Sequence, residues 1–278
     1  MRTETTVKTR AKIFSRPEIQ TASLIVTWMP DAGKVGAGVA EYLNKKLGGF
    51  VFAEIEPLEF FPLDGVSVED DIAHFPETKF YCCPQKNLMI VKSDLPRFEW
   101  YDFLVTMLDI AEEICKVKGI YVLGGMATAS AHTIPRALLT VANSSQTKRL
   151  VENYDVVSNM EYETPEGQRP TINSFLLWIA QQRGIPAINL WVQVPFYLVA
   201  IEDPQAWKKA LDFLDRQLEL GVDFSELNDR IARQNQRIAQ VRSQHPDLDN
   251  FLSRLESNLG LSTSESERLI RQMEDLLR

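Results

Sequence analysis

Cysteine is scarce. Three residues in 278 cannot build a disulfide framework, and a bridge between the neighbours Cys82 and Cys83 would be strained. The sequence therefore reads as three free thiols in a reducing cytoplasm. Histidine is equally rare, and His74, His132 and His245 fall at no H-x-x-x-H or C-x-x-C spacing, so neither metal nor other cofactor is expected. There is no G-x-S-x-G elbow, Ser130 with His132 lacks a strand–turn–helix setting, and Cys115 sits inside a helical apolar pattern; no catalytic residue is assigned. Long hydrophobic runs are missing as well. Met1 to Pro17 is polar and basic without the apolar segment of a secretory signal. Gly184 to Ile201 carries no charge over 18 residues, but Pro186, Asn189, Gln193 and Pro195 would leave a membrane helix broken and polar. Positive charge is in deficit, 30 Lys+Arg against 38 Asp+Glu for a net −8, which disfavours nucleic acid as a partner. The adjacent acids Asp70-Asp71 and Glu112-Glu113 diverge and read as solvated surface.

What remains is an ordinary globular composition, 45% hydrophobic, long enough to bury a large core unaided. Apolar runs at Ser23–Trp28, Phe50–Ile55, Phe80–Cys83, Asn87–Val91, Ile120–Leu123, Leu138–Ala142, Val156–Tyr162 and Ile185–Val192 read as strands. Between them lie the helical patterns Val35–Leu47, Phe98–Val117 and Ile172–Arg183. This alternation predicts an α/β fold with a mostly parallel or mixed sheet covered on both faces. Beyond residue 200 the chain has only two glycines and two prolines, with 26 charged positions in 78, and reads as helices. Asp203-Pro204 opens the first, Asp223 with Glu226 the second, His245-Pro246 divides the next pair, and Ser262 with Glu265 opens the last. The expected organisation is an N-terminal arm at 1–22, a core domain at 23–202 and a C-terminal helical extension at 203–278.

The first strand leads into Pro30-Asp31-Ala32-Gly33-Lys34-Val35-Gly36-Ala37-Gly38. A glycine turn between strand and helix aims backbone N–H groups and a positive helix end at whatever sits there, which suits an anion. Glu56 lies where a dinucleotide-binding acid would. The glycines nevertheless run G-x-x-G-x-G, and Gly33-Lys34 is followed by valine, so the turn matches neither the dinucleotide fingerprint nor the Walker loop. Tight geometry is the favoured reading. Gly124-Gly125 reads as a second turn at the same edge, and Asp31, Lys34, Gly124, Gly125, Asn143 and Gln193 would then face one cleft. Asp31, Gly33, Lys34, Gly36, Gly124 and Gly125 are the candidate ligand residues. The apolar residues Phe60, Phe61, Phe196 and Tyr197 either plug the core, the favoured reading, or anchor a protein partner, and Leu276 and Leu277 on the last helical stripe are further candidate protein-binding residues.

In order along the chain, Pro30-Asp31-Ala32-Gly33 with Val35-Gly36, Phe60-Phe61-Pro62, Gly124-Gly125, Pro170-Thr171, Gly184-Ile185-Pro186-Ala187 and Val194-Pro195 with Tyr197 resemble the proteasome assembly chaperone 2 family. The likeness covers roughly Ser23 to Asn258, where the later helices look like the tail of bacterial members. It implies a three-layer α/β/α sandwich akin to phosphorylase-type folds, no established catalytic residues, and self-association or chaperone-like protein binding. Members that dock on proteasome rings tend to end hydrophobic–Tyr–any, whereas this sequence closes Leu276-Leu277-Arg278, so docking through such an ending is not implied. The leading expectation is a non-enzymatic assembly factor or scaffold whose partners are its own copies and another protein assembly, with no membrane or nucleic acid. The alternative is a receptor or enzyme for a nucleoside-like or phosphorylated ligand held by the glycine turns.

Overall fold

The computed structural model describes residues 10–62, 66–69 and 71–277; residues 1–9 of the expected arm, Asp70 and Arg278 lie outside them. The strands are β1 (Ala11–Ile13), β2 (Thr21–Met29), β3 (Phe50–Ile55), β4 (Ser67–Glu69), β5 (Ile72–His74), β6 (Thr78–Cys83), β7 (Leu88–Asp94), β8 (Lys116–Thr128), β9 (Leu138–Ala142) and β10 (Ala187–Pro195). Eight of them form one sheet in the order β1-β3-β6-β7-β2-β8-β10-β9, while β4 and β5 make a separate hairpin. Strands β7, β2, β8 and β10 are mutually parallel. The flanking pairs β1/β3, β3/β6, β6/β7 and β10/β9 are antiparallel. The sheet is thus mixed, and the class is α/β.

Because successive strand residues face opposite ways, each strand feeds two cores. From β2, Ile25 enters one core, and Leu24, Val26 and Trp28 enter the other. Helices α1 (Val35–Leu47), α2 (Trp100–Ile114), α3 (Ser145–Arg149), α4 (Ile172–Gln182), α5 (Pro204–Leu218), α6 (Ser225–Gln244), α7 (Pro246–Glu256) and α8 (Thr263–Leu277) complete the chain. Helices α2 and α4 fill the second core, joined by a buried polar chain in which Trp28 Nε1 donates to Asn173 and Asn173 donates to Asn189. On the opposite face α1 and α5 lie on the sheet, with α6, α7 and α8 stacked outside. Val39, Leu190, Trp207, Ile238, Leu252 and Met273 share that one core, so the helical tail is continuous with the sheet's packing. The adjacent thiols are divided: Cys82 is buried in the α2–α4 core and Cys83 in the α1–α5 core.

Four expectations need correction. Residues 124–125 are no turn: β8 runs through both glycines to Thr128. Helix α2 stops at Ile114 because Cys115 is extended, and Val117 belongs to β8. The segment from Val156 to Tyr162 forms only one isolated bridge, between Val157 and Leu139; Val156 packs partly against the core, and most of the residues after it are exposed. Asp223 makes no capping box with Glu226: its carboxylate accepts from the N–H and hydroxyl of Ser225, and Glu226 pairs with Lys45 and Lys46. Ser262 and Glu265 do cap α8 reciprocally, each backbone N–H donating to the other's side chain.

Candidate functional site at the strand ends

The crevice at the carboxyl ends of β2 and β8 is built by the first glycine turn. After the cis Met29–Pro30 peptide, Gly33 and Lys34 both adopt positive φ, 66° and 49°, and the chain enters α1 at Val35. Asp31 turns inward. Its Oδ2 accepts from the N–H of Gly36 at 2.9 Å and of Gly125 at 2.7 Å. The helix-terminal amides that would cradle an anion are therefore held by the protein's own carboxylate. Asp31 Oδ1 is buried without a hydrogen-bond partner. Burial pushes the Asp31 carboxyl up to about 6, against the backbone hydrogen bonds, those of Gly36 and Gly125 foremost, that pull it down. A Cβ on Gly125 would stand 1.9 Å from the Ala32 carbonyl oxygen, so β8 can pass beneath the turn only without a side chain there.

The helical tail closes the crevice from the other side. Gly33 donates to Val199, and its carbonyl accepts from the Asp203 N–H and from Trp207 Nε1. The Trp207 ring lies where a Cβ on Gly38 would be, 2.2 Å from Cε2. Asp203 is fully buried, caps α5 by accepting from Gln205 and Ala206, and pairs with Arg136 at 2.8 Å. Beside it the Tyr197 hydroxyl accepts from the His132 N–H and lies 2.9 Å from His132 Nδ1. Burial, reinforced by the nearby Arg242 cation, pushes His132 down to about 4. Such a histidine stays neutral at physiological pH and serves as a fixed hydrogen-bonding post.

The structure thus brings Asp31, Gly33, Gly36, Gly124 and Gly125 together and seals them. Lys34 alone among the candidate ligand residues is exposed. Asn143 does not join them: β9 runs antiparallel to β10, so Asn143 lies at the start of β10, bonded to Ile185 and Ala187. Gln193 is on β10 in register with Met126, its N–H donating to Ala137. Phe60 and Phe61 pack against Phe103 at ring separations of 5.1 and 6.0 Å. Tyr197 and Leu277 are buried, Phe196 is partly buried and Leu276 is exposed; the buried four fill the protein's own core instead of a partner surface. Sequence reasoning missed Trp207 and Arg136 as the closing residues. It also missed an aromatic row across α2 and α4, in which the partly buried Phe175 stands between the exposed Tyr101 and Trp178, tilted against the first at a ring separation of 6.3 Å and stacked on the second at 5.5 Å. The apolar stripes of α2 and α4 could have shown it, since Tyr101 and Trp178 fall outside them while Phe175 packs at the edge of the core.

The fold is thus a mixed α/β/α sandwich whose own Asp31 and Trp207 pack at the strand-end crevice. The sequence model of the PAC2 family matches residues 25–242, and the chain belongs to that family. No curated protein matches. Among solved structures, a Mycobacterium tuberculosis protein of unknown function is 19% identical with a TM-score of 0.73, covering 95% of this chain and 96% of that one. PbaB, an archaeal proteasome activator from Pyrococcus furiosus, is 22% identical with a TM-score of 0.66, covering 84% and 98%. A proteasome-assembly chaperone homologue from Mycobacterium tuberculosis is 18% identical with a TM-score of 0.66, covering 82% and 99%. These similarities establish the shared fold.

Proposed function

We propose that this PAC2-family chain is a non-enzymatic, self-associating protein that binds other proteins as an assembly chaperone or scaffold, in the cytoplasm. The observation that carries this reading is the aromatic row on α2 and α4: Tyr101 and Trp178 are 53% and 47% exposed on either side of Phe175. Large exposed aromatics grouped in this way are what protein interfaces bury. The solved relatives named for proteasome assembly and activation support a protein partner. The ligand alternative loses ground because the amides it needs already donate to Asp31. Among the described residues no helix is long and apolar enough to cross a membrane.

The test is size-exclusion chromatography with light scattering on the wild type and on a Tyr101→Ser/Trp178→Ser variant. The wild type should run at a multiple of 31.7 kDa and the variant at a smaller mass. A wild type that stays a monomer at every concentration would remove the self-association reading.

A further inference from the structure

Lys34, shut out of the sealed crevice, faces a different depression. A groove of about 760 Å³ lies between the first turn, the segment after β10, helix α6 and the end of α8. Among the described residues its walls carry Lys34, Arg230, Arg233 and Arg237, with Glu202 as the one acid. Glu202 is committed to Arg230, whose guanidinium also lies 4.5 Å from the centre of the Trp207 ring. Arg237 donates to the Leu276 carbonyl. Among the described residues the side chains of Lys34 and Arg233 make no ion pair or hydrogen bond, and both are exposed. Lys34 and Arg233 therefore add positive charge to one short groove of a protein whose net charge is −8, and an anionic occupant would offset it.

The spacing says what shape the anion takes. Arg230, Arg233 and Arg237 recur at i, i+3 and i+7, so they line one face of α6 over about 10 Å. Lys34 stands across the groove on another element. A compact anion cannot reach this whole row, whereas an extended chain with several carboxylates can. A nucleic-acid backbone would want a broad basic field, and the acidic remainder of the molecule opposes one. We propose that this groove binds an acidic peptide segment of a partner protein, with Lys34 and Arg233 as its principal anion contacts. The inference rests on the protein-binding reading and supplies its partner chemistry.

Fluorescence anisotropy with a fluorescein-labelled octapeptide of glutamate and leucine tests it, using the full chain. A lysine–leucine octapeptide, an oligothymidylate of equal length and tripolyphosphate serve as comparisons. The acidic peptide should bind best, weaken steeply with added salt, and lose roughly tenfold or more in affinity with either Lys34→Glu or Arg233→Glu. Both substitutions are at exposed positions, and an unchanged thermal melt verifies folding of each variant. The proposal is overturned if the acidic peptide does not bind, if both reversed variants bind it as the wild type does, or if oligothymidylate or tripolyphosphate binds more tightly. The light-scattering mass should be the same in wild type and groove variants, so failure of the groove and failure of self-association are read separately.

Discussion

Asp31 is the residue on which the strand-end geometry turns. Replacing it with alanine leaves the amides of Gly36 and Gly125 buried without an acceptor, and unfolding in urea should show a loss of roughly 2–4 kcal/mol. Asparagine keeps one acceptor oxygen for the same two donors, so Asp31→Asn should retain most of that stability. The two shifted groups also act on pH dependence with opposite signs. The Asp31 carboxyl is raised to about 6 in the folded protein, so its contribution is present below the ordinary carboxylate range and lost as pH rises through 6. The His132 ring is lowered to about 4; the unfolded chain takes up that proton first, and stability is lost as pH falls from 6.5 towards 4, by roughly 3 kcal/mol. In the wild type the two trends offset each other over this window. The Asp31→Asn variant retains only the histidine trend, so its urea midpoint should fall more steeply with acid than that of the wild type; parallel profiles would refute the assignment.

Helices α1 and α5 meet at Gly38 and Trp207, and their contact leaves no room for a methyl group. Gly38→Ala should cost about 3 kcal/mol by forcing the indole out of its place, measurable as a lowered thermal midpoint. A chain ending at residue 202 lacks α5 to α8 and leaves Leu190, Val192 and Val194 uncovered; it should show no cooperative melt and should bind a hydrophobic dye. Most elements are legible in the sequence because their apolar residues repeat at the helical or strand period, as in Val35, Val39, Tyr42 and Leu43 of α1. Two failures share one physical cause. Gly124 and Gly125 look like a turn because glycine favours turns, yet here glycine admits the Ala32 carbonyl against a continuous strand. The Asp31 turn looks like an anion site because its amides point inward, and only tertiary structure reveals that a carboxylate five residues before Gly36 already occupies them. The i, i+3, i+7 arginines of α6 were readable as a face, but their opposing lysine lies almost two hundred positions earlier.

At the scale of the whole molecule, the sheet's two faces are unequally covered. Two helices cover one, and five in two tiers build the other with the short α3 at the edge. The thinner layer carries the exposed Tyr101 and Trp178, so self-association through it should stabilise the fold by mass action. The melting temperature should therefore rise with protein concentration in the wild type and stay constant in Tyr101→Ser/Trp178→Ser. A midpoint independent of concentration in both would argue against an interface at this layer. The neighbouring thiols on β6 offer a way to watch the two layers separately. Burial pushes Cys82 up to about 12 and Cys83 to about 11, which makes both unreactive while their layers are closed. One side chain lies beneath the two-helix cover and the other beneath the tiered stack. Pulsed alkylation followed by peptide mass mapping would then act as a built-in pair of clocks, each timing how often its own side of the molecule lifts away.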